Sequence, residues 1–200
     1  MTATTTPDTP VRGRPRSAAV DAAIIAAARA VLVEEGSIGF TMAGVAARAG
    51  VSTATLYRRY QHREELIVAA LTDPADSGAP DTGSIRTDIE TMMASSVVKF
   101  RGEHGQLVRA VSVDTCRDPV LAEVLRSRLM ANKRAGLRRM FKQAVARGEI
   151  PEPADIDIVL DMLVAPLVYR VIMSGDPVTP RVGAELARLV LRAIGYVEPA

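Results

Sequence analysis

The sequence predicts an all-α chain of nine helices arranged in two domains, and three features of it do so. Ala, Leu, Val and Arg abound while aromatic residues make up 4% and tryptophan is absent, a composition that favours packed helices over sheets. Apolar residues recur at three- and four-residue spacing along most of the chain. Glycine, proline and capping residues interrupt that spacing at helix-length intervals. Two hundred residues allow one helical body with a small appended module.

The elements follow in order. Residues 1–11 are rich in Thr and Pro and read as disordered; the RGRPR run behind them places Arg12, Arg14 and Arg16 on a flexible basic arm that ends at residue 16. From Ser17, the residues Val20, Ile24, Ala27, Ala28 and Val31 mark the apolar face of a first helix, which Gly36 ends. Phe40 and Val45 bracket the start of the second as a hydrophobic staple, with Thr41 as its cap. Gly50, one place past Ala49, can close that helix in the left-handed conformation. Ser52 caps a third helix carrying Thr53 to Tyr60, and the short link between the two forces a sharp angle. Helix four runs from about Arg63 to Leu71, closing a first domain over 17–72. Residues 73–83 are Pro, Gly, Ser and Asp-rich and read as a linker loop.

The second domain is expected over 84–197. Ile85, Ile89, Met92, Met93, Val97 and Phe100 mark helix five, and a stop over Arg101–Gly105 separates it from a short sixth through Val113. Asp118-Pro119 opens a seventh helix, amphipathic until Gly148. The eighth, from about Asp155 to Ser174, is apolar all round and therefore buried on more than one side. Asp161, Pro166 and Arg170 interrupt it, and it falls short of the roughly 20 residues a bilayer requires, so no membrane span is expected. Thr179-Pro180 caps a ninth helix with Val182, Leu186, Leu189, Val190 and Ala193 on one stripe.

Charge is unevenly spread. Residues 12–63 hold eight Arg and three acids, whereas 64–200 hold seventeen basic and nineteen acidic residues. Between Thr41 and Arg63 there is no acid, while Arg48, Arg58, Arg59 and Arg63 lie there. Two short helices at a sharp angle in an acid-free, Arg-rich segment read as a helix-turn-helix for DNA. Val51, Leu56 and Tyr60 are spaced to pack inward. Thr53, Ala54, Thr55 and Arg58 then occupy the exposed end that meets base edges, with Ser52 at the cap counted among the DNA-binding residues, and Tyr57, Arg59 and the amides opening the helix at Arg63 suit phosphates. Beside that motif the basic arm is suited to a minor groove.

At Thr41 with Val45-Ala46, Ala49-Gly50-Val51-Ser52, Thr55-Leu56-Tyr57 and Glu65-Leu66, the segment resembles the DNA-binding domain of the tetracycline-repressor (TetR) family of bacterial transcription regulators. Carried over residue by residue, the resemblance implies phosphate contacts from Thr41, Tyr57, Arg59 and Arg63 and base-facing roles for Thr53, Ala54 and Arg58. Arg59 stands where the family commonly has His or Tyr, and Arg63 where it has Lys. DMLVAPLVYR with Gly175-Asp176-Pro177 also resembles one of the family's C-terminal variants. The resemblance implies a homodimer built on helices eight and nine, with Leu160, Val164, Leu167, Val171, Leu186, Leu189, Val190 and Ala193 facing the partner. It further implies a cavity inside helices five to eight for an unidentified small-molecule effector, and Met92, Met93, Phe100, Met162 and Tyr169 are the candidate lining because Met adapts to irregular apolar shapes and Tyr adds a polar handle. A ligand-responsive repressor on a palindromic double-stranded DNA operator is the function so implied.

Catalysis is not expected. Two His and one Cys far apart in sequence make no metal-ligand pattern, no G-x-S-x-G elbow, P-loop or dinucleotide glycine pattern appears, and no cofactor is expected. Asp157 and Asp161 share a helix face and read as a solvated or interface edge. His104, in a Gly-flanked break, reads as an exposed loop residue. Cys116 beside Arg117 reads as an inert buried thiol rather than a redox sensor. A single cysteine excludes an internal disulfide, and with no apolar signal segment the chain is expected in the cytoplasm, on the nucleoid.

Overall fold

The computed structural model describes residues 14–72, 78–115, 117–152 and 155–197. With two π-wound stretches counted as parts of the helices they continue, the described residues form nine helices and no strand. Arg12 and Cys116 lie outside the described residues.

Helix α1 (Arg14–Gly39) begins three residues ahead of the expected Ser17, so Arg14 and Arg16 stand in its first turn instead of on an arm. Pro15 does not oppose this, because a first-turn amide has no intrahelical partner to lose. The helix breaks at Gly36, with φ 70° and ψ −176°. Helix α2 (Met42–Ala49) opens on Thr41, whose Oγ1 accepts from the Gly44 N–H at 3.0 Å, and closes on Gly50 at φ 67°, ψ 29°. Helix α3 (Thr53–Tyr57) opens on Ser52, whose hydroxyl accepts from the Thr55 N–H at 3.1 Å. It stops short of the expected Tyr60, because the N–H groups of Arg59 and Tyr60 both turn onto the Leu56 carbonyl, at 2.9 and 3.0 Å. Helix α4 (Arg63–Leu71) matches its expected span.

In the second domain, α5 (Ile85–Arg101) and α6 (Glu103–Thr115) are parted by Gly102 alone, not by a five-residue stop. His104 is thus a first-turn residue of α6, half-buried, with its ring edge-on to Phe100 at 5.5 Å between centroids. The abrupt turn depends on Gly105: a Cβ there would lie 2.0 Å from the Phe100 carbonyl oxygen. Helix α7 occupies 119–146, α-helical over Pro119–Val124 and Ala131–Ala146 and π-wound over Leu125–Met130. Asp118 caps it, accepting from the Leu121 N–H at 2.9 Å. Helix α8 occupies 156–174, π-wound over Arg170–Ser174, with Asp155 accepting from the N–H groups of Asp157 and Ile158. Helix α9 (Pro180–Ala193) is capped by Thr179. None of these helices is long and apolar enough to cross a membrane.

Two apolar cores result, and the boundary between them does not follow the linker. The first gathers Ile24 and Leu32 of α1, Val45, Leu56 and Leu66 of α2 to α4, and also Leu107 and Val111 of α6 and Leu121 and Leu129 of α7. Each fully buried Leu or Ile adds roughly 1.5–3 kcal/mol, so α6 and α7 are part of what stabilises the N-terminal module. The second core holds Ile85, Ile89, Met93 and Val97 of α5 against Phe141, Leu163, Leu167 and Val190. Asp88 is buried beneath it but satisfied, accepting from the Thr82 N–H and hydroxyl at 2.7 and 2.8 Å.

Gly105→Ala should lower stability by about 1–3 kcal/mol through overpacking against backbone. Gly102→Ala, with its nearest neighbour at 3.5 Å, should change it far less. Urea midpoints of the two variants check the difference.

Candidate nucleic-acid interface

The reading surface is built around two hydroxyls and one guanidinium. Ser52 Oγ lies 2.9 Å from Thr55 Oγ1, and Thr55 Oγ1 accepts from Arg58 Nη2 at 3.0 Å. These residues sit three apart, so the chain Ser52–Thr55–Arg58 runs along one face of the cap and helix and holds the Arg58 side chain against it. Thr53, Ala54 and Arg58 are exposed around it, and Tyr57 is 52% exposed. Leu56 on the opposite face is fully buried and fixes the helix to the core. Thr41 is exposed at the head of α2. The small side chains of α3 leave its backbone open to close approach, and the exposed groups are hydroxyls and an Arg, the donors that suit phosphate and base edges.

The other arginines of the segment are engaged by carboxylates of the chain itself. Arg48 makes a two-pronged pair with Glu34 of α1, one arm at 2.6 Å. Arg59 pairs with Asp21 of α1 and reaches the Thr55 carbonyl at 3.4 Å. Burial pushes the neighbouring Tyr60 phenol up, and Asp21 adds to the shift. Arg63, expected on phosphate, is turned the other way: Nη1 donates to the Ser37 carbonyl at 2.9 Å, Nε to Glu64 at 2.8 Å, and Nη2 pairs with Asp118. An Arg in a basic segment counts as DNA-facing in sequence, whereas here carboxylates 38 and 55 residues away take Arg59 and Arg63.

That second set of contacts forms a polar seam with no motif in the sequence. Asp114, buried near the end of α6, accepts from the Ser37 N–H and hydroxyl at 2.9 and 2.7 Å. Arg128 in the π-wound part of α7 donates to Glu65 at 2.9 Å. At the other end of α4, Arg29 of α1 donates to the carbonyls of Ala70 and Thr72 at 2.9 and 3.1 Å. Helix α4 is therefore held at its start through Arg63 and at its end by Arg29.

The residues expected to line a ligand cavity do not converge. Met93 is inside the second core, Met92 and Phe100 lean on it, and Tyr169 is 58% exposed. Met162 borders a surface cleft of about 430 Å³ with Ile158 and Ala193. Of the residues expected to face a partner, Leu160, Leu167 and Val171 of α8 are buried in the chain's own core, a correction that follows from α8 being apolar all round, so that the pattern cannot say which stripe turns inward; Val190 of α9 is buried there as well. Val164, Leu189 and Ala193 are exposed and Leu186 is half-buried. Asp157 and Asp161 are half-exposed, as a solvated edge would be, and are also paired: Arg134 of α7 pairs with both, and Arg138 with Asp157.

A sequence model described as bacterial regulatory proteins, tetR family, matches residues 24–70, and one described as tetracyclin repressor-like, C-terminal domain, matches 79–190. The chain belongs to the TetR family of bacterial transcription regulators. A TetR repressor of Mycobacteroides abscessus, described as a DNA-binding transcriptional repressor, is 33% identical over 187 residues, covering 90% of this chain and 92% of that one. An HTH-type transcriptional regulator of Mycobacterium tuberculosis is 34% identical over 158 residues, 78% of each chain. The solved structure of a TetR-family regulator from Rhodococcus sp. superimposes with a TM-score of 0.73 over 89% of this chain and all of that one, at 18% identity. This TetR-family chain is thus a DNA-binding transcriptional regulator whose helix-turn-helix is α2 and α3.

The Leu121 N–H and then the Arg63 guanidinium hold the Asp118 carboxyl below the usual carboxylate range. A carboxyl that binds its proton less tightly when folded stabilises the fold fully above that range and loses the contribution as pH falls through and below it. Asp118→Asn keeps a capping side chain and removes the charge. It should lower the urea midpoint at about pH 7, and the gap to the parent should narrow progressively as pH falls below about 4.

Proposed function

We propose that the chain acts as a homodimeric, ligand-responsive repressor on a palindromic double-stranded DNA operator, and that it carries out no catalysis of its own. The observation that carries the DNA part is the Ser52–Thr55–Arg58 chain on an otherwise small-residue helix face. It presents a pre-positioned Arg at the end of a helix capped for insertion into a major groove. Thr41 and Tyr57 serve phosphates, while Thr53, Ala54, Thr55 and Arg58 meet bases. Arg59 serves a phosphate only by exchanging Asp21 for it, and Arg63 serves the seam.

The dimer reading is supported by apolar surface on the last two helices. Ile158 (57%), Met162 (37%), Tyr169 (58%) and Met173 (72%) recur at helical spacing on the outside of α8, and Leu189 (43%) lies exposed on α9. Such a stripe on two adjacent helices suits a second copy in a two-fold four-helix arrangement. One recognition helix of five residues contacts few base pairs, so two half-sites at fixed spacing supply the specificity. Response to a small molecule is supported by α4, which packs in the N-terminal core together with α6 and α7 and is gripped by residues of both domains. A ligand that favours one placement of α4 and DNA that favours another weaken each other equally.

Fluorescence anisotropy on DNA from upstream of the protein's own gene, against excess unrelated duplex, tests the reading. Specific binding should be roughly a thousandfold or more tighter than to unrelated DNA, with two chains per site. Arg58→Ala should cost about 1–3 kcal/mol and relax the base preference, whereas Tyr57→Phe should weaken all sequences alike. Equal affinity for both duplexes at low and physiological salt would refute a specific regulator.

A further inference from the structure

A cleft of about 220 Å³ opens where α1 meets the α5–α6 turn, away from the helix-turn-helix and outside the set of residues expected to line an effector cavity. Arg29, Lys99 and His104 border it, with Glu103 as the one carboxylate and with Val98 and Leu107 as apolar wall. Arg29 and Lys99 against the single acid Glu103 leave its polar rim net positive. Arg29 is three-quarters buried, so its charge is less screened than that of a surface residue. Its Nε and Nη2 are taken by the carbonyls at the end of α4, and Nη1 makes a 3.5 Å contact with the 57% exposed Glu103. That contact is at the long limit of a hydrogen bond and is the weakest of the three. The imidazole of His104 is held edge-on against Phe100. Lys99 and His104 have further interactions in the fold, so an incoming anion enters by exchange.

We propose that this cleft is a site for a small organic carboxylate, whose anionic head replaces Glu103 on Arg29 Nη1 and meets Lys99 while a short apolar body lies on Val98 and Leu107. The regulatory meaning of the site rests on the proposed ligand-responsive function; its existence does not. Because a guanidinium is a rigid planar fork, an anion seated on Nη1 fixes the plane whose other two donors grip Ala70 and Thr72. Occupancy of the cleft therefore tightens the C-terminal end of α4, the helix that follows the reading head in the chain.

Calorimetric titration of the full chain without DNA, using hexanoate as the probe and 1-hexanol as its neutral counterpart, tests the site. Hexanoate should saturate with a Kd on the order of 1 mM or tighter, and hexanol should not bind measurably. Lys99→Gln should weaken hexanoate by about threefold to tenfold, and Glu103→Gln, which removes the competing carboxylate, should tighten it by about twofold to fivefold. Neither residue holds α4 directly, so both variants should fold. Amide exchange at Leu71 and Thr72 should slow when hexanoate is bound. No saturable heat, equal binding of hexanol, or a hexanoate affinity unmoved by both substitutions would overturn the site, and unchanged exchange at saturation would overturn its link to α4. A negative result here leaves DNA binding untouched, and absence of DNA binding leaves the titration standing, so the two readings fail separately.

Discussion

The placement of α4, which links the DNA-binding domain to the body beside the direct contacts of α1 with α6, depends on two arginines. Arg63 at its start reaches the Ser37 carbonyl of α1 and Asp118 at the head of α7, while Arg29 reaches the last carbonyls of α4 from α1. A guanidinium offers several donors in one plane and cannot lose its charge, so each of these residues fixes an angle as well as a distance. Asp118 is shared between two tasks, capping α7 through one oxygen and receiving Arg63 through the other. Any shift of α7 is thereby a shift of the start of α4. The apolar contacts of Leu107, Val111, Leu121 and Leu129 with the N-terminal core supply the attraction between the domains, and the polar seam decides the register in which they meet.

The reading head itself is organised more locally. Phe40 and Val45 are buried on either side of the Thr41 cap, Gly50 turns the chain, and Ser52 both caps α3 and starts the hydroxyl chain that ends on Arg58. The same short run of side chains therefore forms the helix and positions its contact groups, which lowers the ordering cost of binding. The salt bridges from α1 to Arg48 and Arg59 add rigidity and withdraw positive charge from the surface. The head is in consequence less basic toward DNA than its composition suggests.

What was legible in the sequence is what depends on neighbours a few residues apart. The caps at Thr41, Ser52, Asp118 and Thr179 and the left-handed turn at Gly50 follow from local backbone chemistry, and the structure has each of them. The family was legible for the same reason, since the motif that carries it lies within one short segment. The partners of Arg59 and Arg63 were not legible, because the acids that claim them come from distant parts of the chain. The inward stripe of α8 was not legible either: with apolar residues all round, Leu160 and Val164 look equivalent in sequence, and only packing against α5, α7 and α9 separates the buried one from the exposed one. The turn at Gly102 looks like a longer break in sequence, because two nearby glycines mark a stop without showing that the next helix restarts at once beside the Phe100 carbonyl.

The coupling between Arg63 and Asp118 is the most direct measure of whether the seam holds α4. A double-mutant cycle with Arg63→Met and Asp118→Asn, followed by urea unfolding at neutral pH, should give an interaction free energy of about 1 kcal/mol or more, above the range of an ordinary exposed ion pair. Additive losses, with no interaction between the two substitutions, would show that the pair does not hold the helix and would contradict this account of how the two domains are joined.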